Sequence, residues 1–332
     1  MSVKTARTVE KVLRKTKNVL VTSHQDPDGD SVGSQMALVA YLRKGKKRVL
    51  AVNQGKMPNK YRFLDPTGII READEPLPKF VPEVAFVVEC PSLRRIGCVQ
   101  KLLCPQTVIV NIDHHPRNEK FGHINWLDAK ASAVGEMVYD FLAAARFKIT
   151  PPVAEALYTA ILTDTGRFRY SSTRPRTLEI CARLMQLGAD PQKITEEVYY
   201  RISPADMRLV ARVLEGLELH QEGRICFLSI ENRLLAETGA RFEDTEGLVD
   251  YSLYVRNVKV GALFKELSFG KTKVSLRSQN GIDISPIAKA FGGGGHPNAS
   301  GCALPLPLAE AKRTVLEKVS ELLQNGRLAG DK

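Results

Sequence analysis

The chain of 332 residues lacks the patterns typical of disulfide-bonded, zinc-ribbon and membrane proteins. Its six cysteines form no C-x-x-C pair and show no zinc-ribbon spacing, which argues against a disulfide framework and a structural zinc site. No apolar run is long enough to span a bilayer, and residues 1–14 are basic without the apolar core of a signal peptide. No internal repeat or low-complexity tract is evident. We therefore expect a cytoplasmic protein with no membrane partner.

Two common nucleotide-binding fingerprints are also missing. The glycine run Gly292–Gly295 is not a Rossmann fingerprint, because Pro297 stands where its last glycine is needed. The tripeptide Gly270-Lys271-Thr272 does not complete a Walker A loop, because Lys265 occupies the position of the first glycine. If the chain binds phosphate groups, it does so through other residues.

The composition is that of a globular protein with 43% hydrophobic and 26% charged residues. Its length accommodates two domains of ordinary size. A formal net charge of +11 favours a polyanionic partner such as nucleic acid or a nucleotide, although the same charge also serves solubility.

Alternating strand and helix patterns up to Gly188 predict an α/β domain, in which a parallel sheet is covered on both faces and flanked by helices. A smaller α+β domain follows a charged helical segment. We predict a metal-binding catalytic domain at 1–190, a helical linker at 191–218 and a substrate-binding domain at 219–332. The predicted strands are 18–22, 48–52, 84–88, 107–112, 225–230, 259–266 and 273–277, and the predicted helices are 5–15, 31–42, 131–145, 153–162, 175–187, 284–291 and 308–323.

The turn after the first predicted strand is rich in metal-ligand residue types. His24, Asp28 and Asp30 can converge there because Pro27 and Gly29 bend the backbone. Asp26 is either a fourth oxygen donor or a solvated neighbour. Close carboxylates repel each other unless a divalent ion lies between them. The alternative is an ordinary turn in which Asp30 or Ser31 caps the following helix.

Further donors follow two other predicted strands and one predicted helix. Glu89 follows Val88, Asp113-His114-His115 follow the strand 107–112, and Asp164 follows the helix 153–162. Adjacent parallel strands end at the same edge of a sheet, so these side chains can meet although each could also be an ordinary polar strand or helix end. Carboxylate and imidazole donors without thiolate favour Mn²⁺ over zinc. Two ions roughly 3.5 to 4 Å apart would activate a water and neutralise a phosphoryl group.

The second glycine-rich motif lies at residues 291–301. Successive glycines bring backbone N–H groups close to a ligand, and such a nest favours anions. His296 and Ser300 beside the glycines favour this interpretation, whereas a flexible turn is the alternative.

Taken together, these motifs resemble those of the DHH phosphoesterases with a DHH-associated C-terminal domain, and most closely the nanoRNase/pAp phosphatase branch. The resemblance extends over nearly the whole chain in the expected order. It rests on His24-x-x-Pro27-Asp28-Gly29-Asp30-Ser31 with Gly33-Ser34, Asp113-His114-His115, Asp164-Thr165-Gly166, Phe168-Arg169-Tyr170-Ser171, Pro175-Arg176-Thr177-Leu178-Glu179, Ser275-Leu276-Arg277-Ser278, and Gly292-Gly293-Gly294-Gly295-His296 with Ala299-Ser300-Gly301.

The resemblance implies a role for each matched residue. His24 and Asp28 would bind one Mn²⁺, with Mg²⁺ or Co²⁺ as alternatives, and a second ion would be bound by Asp30, His114 and Asp164. Glu89 would bridge the two ions, His115 would contact the scissile phosphate, and Asp113 would orient the neighbouring histidines. The nucleotide would be bound by Arg277, Ser278, Gly293, Gly294, Gly295, His296 and Ser300.

The resemblance further implies a phosphodiesterase that hydrolyses very short single-stranded RNA to nucleoside monophosphates and also removes the 3′-phosphate of 3′-phosphoadenosine 5′-phosphate. A cyclic or linear dinucleotide phosphodiesterase would share every catalytic residue. Glu89 stands where the family usually has Asp, and one extra methylene displaces a bridging carboxylate. A non-catalytic nucleotide-binding regulatory protein is therefore a third hypothesis. The oligomeric state is open, with a homodimer among the alternatives.

Overall fold

The computed structural model describes residues 3–241, 245, 247–267, 270–279 and 281–330. The chain divides into two compact units, Met1–Arg201 and Ile202–Lys332. Helix α6 (Pro191–Thr195) lies in the first unit, and helix α7 (Pro204–Glu215) lies in the second. None of the helices in the described part of the chain combines the length and the hydropathy that a membrane span requires.

The first unit is built on a six-stranded parallel sheet with the strand order β3-β2-β1-β4-β5-β6. The strands are β1 (Asn18–Thr22), β2 (Arg48–Asn53), β3 (Ile70–Glu72), β4 (Val84–Val88), β5 (Val108–Asp113) and β6 (Ile124–Leu127). The strand order reverses between β1 and β4, and open α/β sheets bind ligands at the carboxyl ends of strands at such a point. The turns after β1 and β4 carry His24 and Glu89.

Helices cover one face of this sheet. Helices α1 (Val3–Arg14), α2 (Gly29–Lys44) and α3 (Val134–Ala144) contact its strands. Helix α4 (Pro151–Asp164) packs on α2 and α3, and α5 (Pro175–Gln186) packs on α4 and α3. Alternate strand residues such as Val21 and Phe86 join the core on this face. On the other face, Leu20 and Val87 pack with Ile96 of the 3₁₀ segment Leu93–Leu102. The sheet is covered on both faces as predicted, but 3₁₀ turns and loops, rather than α-helices, cover the second face.

The second unit also contains a six-stranded sheet, in the order β11-β12-β10-β9-β8-β7. Its strands are β7 (Glu218–His220), β8 (Ile225–Ile230), β9 (Val260–Leu267), β10 (Lys271–Ser278), β11 (Gly294–His296) and β12 (Ala299–Leu304), and its remaining helices are α8 (Asn232–Thr238), α9 (Ser285–Ala290) and α10 (Leu308–Gly330). Strands β8 and β9 pair in parallel, and the other pairs are antiparallel. The predicted fold class, a parallel α/β unit followed by an α+β unit, is confirmed.

Candidate metal centre and active site

Helix α2 begins with Asp28 as its N-cap. The Asp28 Oδ1 atom accepts a hydrogen bond of 2.9 Å from the Ser31 backbone N–H. The alternative turn, in which Asp30 or Ser31 caps the helix, is therefore wrong. Asp28 Oδ2 lies 3.7 Å from His24 Nε2, so the two oxygens of this carboxylate have different neighbours.

Substitution of Asp28 should separate its capping from its ligand function. Asp28→Ala is expected to lower the free energy of unfolding by about 0.5–2 kcal/mol more than Asp28→Asn does, since Asn caps helices as well as Asp does and both variants lose the charge that faces His24. Both variants should lose affinity for a divalent ion. Chemical denaturation in a chelator and titration with Mn²⁺ would measure the two effects, and equal stability of the two variants would contradict the capping role.

His24 is a buried histidine whose orientation is fixed by a backbone carbonyl. Its Nδ1 lies 2.7 Å from the Gln25 carbonyl oxygen, and because a carbonyl only accepts, Nδ1 carries the hydrogen. Nε2 consequently faces Glu89, with 3.0 Å between Nε2 and Oε2. A ring held in this way by its second nitrogen is typical of metal-binding histidines.

Glu89 lies directly after β4, between His24 and the pair His114-His115. Its φ of +55° is in the left-handed region, which residues other than glycine rarely adopt. Oε2 faces His24, while Oε1 lies 3.6 Å from His114 Nε2 and 3.4 Å from His115 Nδ1. The side chain is buried. One carboxylate therefore reaches imidazoles on two sides of the site.

His114 and Asp164 meet at the ends of β5 and α4. His114 Nδ1 lies 3.0 Å from the Ala131 carbonyl oxygen, and Nε2 lies 3.2 Å from Asp164 Oδ2. Asp164 is the last residue of α4, where the negative end of the helix dipole disfavours a carboxylate. A cation at this position would relieve that repulsion.

Asp30 uses both carboxylate oxygens in hydrogen bonds. Oδ2 accepts from the Val134 N–H at 2.6 Å, and Oδ1 accepts from the Gly135 N–H at 2.8 Å and from Ser34 Oγ at 2.9 Å. Val134 and Gly135 are the first residues of α3, whose N-cap Ala133 has no side chain able to accept a hydrogen bond. Asp30 therefore caps α3 from a different helix.

Close packing of α2 on α4 brings the carboxylates of these two helices together. A β-carbon at Gly33 would lie 2.2 Å from the Ala156 carbonyl oxygen, so the packing requires glycine there. Two sets of ligand residues with no member in common can be drawn from the described part of this unit, and the ligand atoms of each set lie within 4.8 Å of one another. One set comprises His24, Asp28 and Glu89, and the other comprises Asp30, His114 and Asp164.

His115 lies beside these sets and is oriented by Asp113. The His115 Nδ1 atom donates to Asp113 Oδ1 at 2.7 Å, and Asn118 Nδ2 donates to Asp113 Oδ2 at 2.6 Å. Asn118 also donates to the Cys90 carbonyl oxygen at 3.1 Å. The sequence analysis missed Asn118, because it lies in a loop outside every recognised motif. Its hydrogen bonds hold the Asp113 carboxylate in the position that orients His115.

Arg277 lies on β10 of the second unit and is held by a carboxylate. Its Nε donates to Asp250 Oδ1 at 3.1 Å, and Nη1 donates to the Leu276 carbonyl oxygen at 3.0 Å. Asp250 belongs to the 3₁₀ segment Leu248–Tyr254 and was not identified from the sequence. An acidic residue 27 positions before its partner gives no periodic signal that sequence reasoning could use.

The glycine run contains an edge strand, which contradicts the alternative of a flexible turn. β11 (Gly294–His296) pairs with β12, and a β-carbon at Gly293 would lie 2.1 Å from the Gly301 carbonyl oxygen. Gly295 has a φ of +139°, and a β-carbon there would lie 2.4 Å from the Ala299 carbonyl oxygen. Gly293 and Gly295 are therefore required by the hairpin itself. A β-carbon at Gly294 would meet open space.

The hydroxyls of Ser278 and Ser300 are engaged within the second unit. Ser300 Oγ donates to the His296 carbonyl oxygen at 2.7 Å. Ser278 Oγ donates to the Ile282 carbonyl oxygen at 2.6 Å and accepts from Asn298 Nδ2 at 3.0 Å. A contribution of either serine to ligand binding would therefore be made through the backbone that it holds.

Comparison with known proteins decides the family. The model for the "DHH family, N-terminal domain" matches residues 18–161, and the model for the "DHHA1 domain" matches residues 224–325. A Thermus thermophilus protein named "Bifunctional oligoribonuclease and PAP phosphatase NrnA" is 33% identical over 319 residues, which cover 96% of this chain and 94% of that protein. The chain belongs to the DHH family of phosphoesterases.

Other proteins similar to this DHH chain span its full length. A Streptococcus mutans protein named "Probable bifunctional oligoribonuclease and PAP phosphatase NrnA" is 26% identical, with 96% of this chain and 99% of that protein covered. The crystal structure of an exopolyphosphatase-related protein from Bacteroides fragilis matches with a TM-score of 0.87 at 25% identity, covering 97% of this chain and 98% of that chain. Both units of the DHH chain therefore have counterparts in a single solved structure.

The DHH family is metal-dependent, and the residues of this chain suit a divalent ion. The two ligand sets contain only carboxylate oxygens and imidazole nitrogens. In both His24 and His114, Nδ1 bonds to a backbone carbonyl, which directs Nε2 toward the carboxylates. The donor chemistry and the orientation of the rings therefore both fit a metal centre.

The buried charges shift one another's pKa strongly. Burial alone would lower the pKa of His24, but its hydrogen bonds with Asp28 and Glu89 outweigh burial and raise that pKa well above 6.5. Burial and the negative charge of Asp164 together raise the pKa of Asp30. Protons thus take up part of the charge balance that a cation would otherwise supply.

We expect the stability of this DHH protein, measured with chelator present, to depend on pH through these groups. The pKa of His24 is raised, so its stabilisation is complete below pH 6.5 and is lost as the pH rises through the raised value. Burial raises the pKa of Glu89, but the positive charge of His115 and the bonds from His114 and His24 lower it well below 4.5. The Glu89 stabilisation is therefore complete above pH 4.5 and is lost as the pH falls through the lowered value.

Both contributions are complete between pH 4.5 and 6.5, so we expect the share of the free energy of unfolding that His24 and Glu89 supply to be highest there when chelator is present. Denaturant titrations across the pH range would measure this profile. His24→Asn is the control, and it should make the alkaline side less steep. Part of the slope should remain, because burial lowers the pKa of His114 but the negative charge of Asp164 and the bond with Glu89 outweigh burial and raise that pKa as well. An alkaline side that is equally steep in His24→Asn and the wild type would refute the assignment to His24.

Proposed function

We propose that this chain is a Mn²⁺-dependent phosphodiesterase that hydrolyses very short single-stranded oligoribonucleotides to nucleoside monophosphates. We propose further that it removes the 3′-phosphate of 3′-phosphoadenosine 5′-phosphate. The name of the Thermus thermophilus relative supports both activities, and 96% of this chain is covered in that match. We propose that the protein acts in the cytoplasm without a membrane partner.

The position of Glu89 between the two ligand sets is the observation that carries the proposal. Its two oxygens face His24 on one side and His114 on the other. A carboxylate that faces a ligand of each set suits a two-metal site, in which bound ions would polarise the phosphoryl group and lower the pKa of a water nucleophile. The regulatory hypothesis was motivated by the extra methylene of Glu89, and this geometry argues against it.

The chain's own residues then have distinct roles in the proposed reaction. His24, Asp28 and Glu89 would hold one ion, and Asp30, His114 and Asp164 would hold the other. His115, whose Nδ1 donates to Asp113, would contact the scissile phosphate through Nε2. No side chain is assigned as a nucleophile, so the reaction would proceed without a covalent enzyme intermediate.

The second unit would bind the nucleotide. Arg277 would pair with a phosphate of the substrate, with its guanidinium held by Asp250. Gly294 and His296 lie on the edge strand β11, and the space beside Gly294 would allow close approach of a ligand to the backbone. Ser278, Gly293, Gly295 and Ser300 would support this binding by maintaining the hairpin and the loop before it.

The donor set favours Mn²⁺ over Mg²⁺. Mg²⁺ prefers oxygen ligands alone, whereas each set here includes one imidazole. Mn²⁺ accepts mixed carboxylate and imidazole donors. We therefore propose two Mn²⁺ ions per chain.

A single substrate panel tests the proposed function. Di- to pentaribonucleotides, a cyclic dinucleotide and 3′-phosphoadenosine 5′-phosphate would be incubated with the protein in Mn²⁺, Mg²⁺ or Co²⁺, with chelator as the control. We expect release of nucleoside monophosphates from the short RNA and of inorganic phosphate from the bisphosphate, fastest in Mn²⁺. Preferential hydrolysis of the cyclic dinucleotide would replace this proposal with the rival phosphodiesterase. Nucleotide binding without turnover in any metal would favour the regulatory hypothesis.

A further inference from the structure

Glu136 is a buried carboxylate near the start of α3 that none of the motifs includes. Its side chain is 4% exposed. Oε2 accepts from the Ser132 N–H at 3.2 Å, from Ser132 Oγ at 2.8 Å and from Thr177 Oγ1 at 3.3 Å. Oε1 accepts from Arg174 Nη2 at 3.0 Å. Glu136 therefore connects the loop before α3 to the beginning of α5.

The segment 131–135, which comprises the end of this loop and the first residues of α3, holds two members of one ligand set. The Ala131 carbonyl oxygen accepts from His114 Nδ1, and the N–H groups of Val134 and Gly135 donate to Asp30. Ser132 lies between these contacts and bonds to Glu136 through both its backbone and its hydroxyl. Any shift of this loop would therefore move His114 and Asp30 relative to Asp164.

We propose that Glu136, held by Arg174, is a positioning residue for the metal set formed by Asp30, His114 and Asp164. Glu136 fixes the segment 131–135, and this segment fixes the direction of the His114 ring and of the Asp30 carboxylate. The inference rests on the proposed function, because it requires that this set binds a divalent ion. It assigns no direct contact between Glu136 and the ion.

The buried carboxylate of Glu136 has a cationic partner and further hydrogen bonds. A buried carboxylate is strongly unfavourable without a cationic partner and further hydrogen bonds. Arg174 supplies the positive charge, while Ser132 and Thr177 supply hydrogen bonds. Removing the charge while keeping the shape would leave Arg174 without its anionic acceptor and weaken the hold on the loop.

The chain offers a matched control for a merely structural ion pair. Asp140 lies one turn after Glu136 on α3 and pairs with Arg176 of α5, so it joins the same two helices. Arg176 Nε also lies 3.8 Å from Glu136 Oε1, so the two carboxylates share this cation. The hydrogen bonds described for the segment 131–135 do not include Asp140. If only the cohesion of α3 and α5 mattered, losing either carboxylate would have similar consequences.

The test compares Glu136→Gln, Ser132→Ala and Asp140→Asn with the wild type by Mn²⁺ titration, followed by electron paramagnetic resonance and calorimetry. Circular dichroism and thermal unfolding in chelator would establish that each variant is folded. We expect Glu136→Gln to weaken the binding of one of two ions by about 10–100-fold, as is typical when a residue behind a metal ligand is changed. Ser132→Ala should weaken the same ion to a smaller degree. Asp140→Asn should bind both ions with wild-type affinity.

The outcomes separate this inference from the proposed function. If the wild type binds fewer than two Mn²⁺ ions, the proposed function itself fails. If the wild type binds two ions and folded Glu136→Gln and Ser132→Ala bind both with unchanged affinity, the positioning role is overturned. It is overturned as well if Asp140→Asn weakens binding as much as Glu136→Gln does. If Glu136→Gln does not fold, Mn²⁺ binding by Ser132→Ala tests the positioning role instead, because this variant retains the backbone hydrogen bond to Glu136.

Discussion

Replacement of His114 by alanine is expected to lower kcat for the hydrolysis of short RNA by about 10³-fold or more. Such a loss corresponds to roughly 4 kcal/mol of transition-state stabilisation. His114 Nε2 lies 3.2 Å from Asp164 Oδ2 and 3.6 Å from Glu89 Oε1, so its removal takes one candidate ligand from one set and a neighbour from Glu89. Titration with Mn²⁺ should show weaker binding in the variant.

His123 provides a matched control for this experiment. It lies just before β6 in the same unit, where its Nδ1 accepts a hydrogen bond of 3.0 Å from the Ile109 N–H. His123→Asn removes an imidazole outside both ligand sets, so activity should stay within about twofold of the wild type, as for most surface or near-surface changes. His114 is not a metal ligand if the folded His114→Ala variant keeps more than about a tenth of the wild-type kcat.

Substitution of Glu89 is expected to have an effect of the same order. Glu89→Gln keeps the shape but removes the charge that faces His24 and His114, so we expect kcat to fall by about 10³-fold. Glu89→Asp keeps the charge but is shorter by one methylene. Because the wild-type carboxylate reaches imidazoles on two sides, Glu89→Asp should lose about 10–100-fold and bind one ion more weakly.

Glu83 supplies the control for the Glu89 variants. It precedes β4, whereas Glu89 follows that strand, and its Oε2 accepts from the Lys17 N–H. Glu83→Gln should leave kcat and Mn²⁺ binding unchanged, because it changes the same charge at the opposite end of the strand. The bridging assignment is refuted if Glu89→Gln retains two tightly bound ions.

The central strands could be predicted from sequence because their periodicity and burial agree. The predicted strands 18–22, 84–88 and 225–230 coincide with β1, β4 and β8. By contrast, β3 (Ile70–Glu72) has three residues and β6 (Ile124–Leu127) lies at the sheet edge, so neither carries a long apolar run. Short edge strands depend on a partner already in place, which the local sequence does not reveal.

The start of α3 shows why a local pattern can mislead. The apolar segment 131–145 predicted a helix from Ala131, but α3 begins at Val134. The cap that fixes this start comes from Asp30, 104 residues earlier in the chain. The sequence identified Asp30 as a candidate ligand but gave no signal for its contact with α3. Glu136 was missed for a similar reason, since its partners Arg174 and Thr177 lie at the start of α5, far away in the sequence.

The candidate ligands were easier to predict than the residues that support them. His24, Glu89 and His114 follow strand ends, where chain direction alone predicts that they meet, and Asp28 lies in the same turn as His24. That they bind ions remains a prediction. The glycine run illustrates the limit of composition, because Gly293 and Gly295 are explained by hairpin packing and Gly294 is not.

The separation of the two ligand sets along the chain has a consequence for biosynthesis. His24, Asp28 and Glu89 are all translated before β5, whereas the other set waits for Asp164 at the end of α4. Both sets lie in the first unit, and domains generally fold as units. A product truncated before Asp164 would lack the end of the helix on which α2 packs, so we expect it to form neither set of candidate ligands.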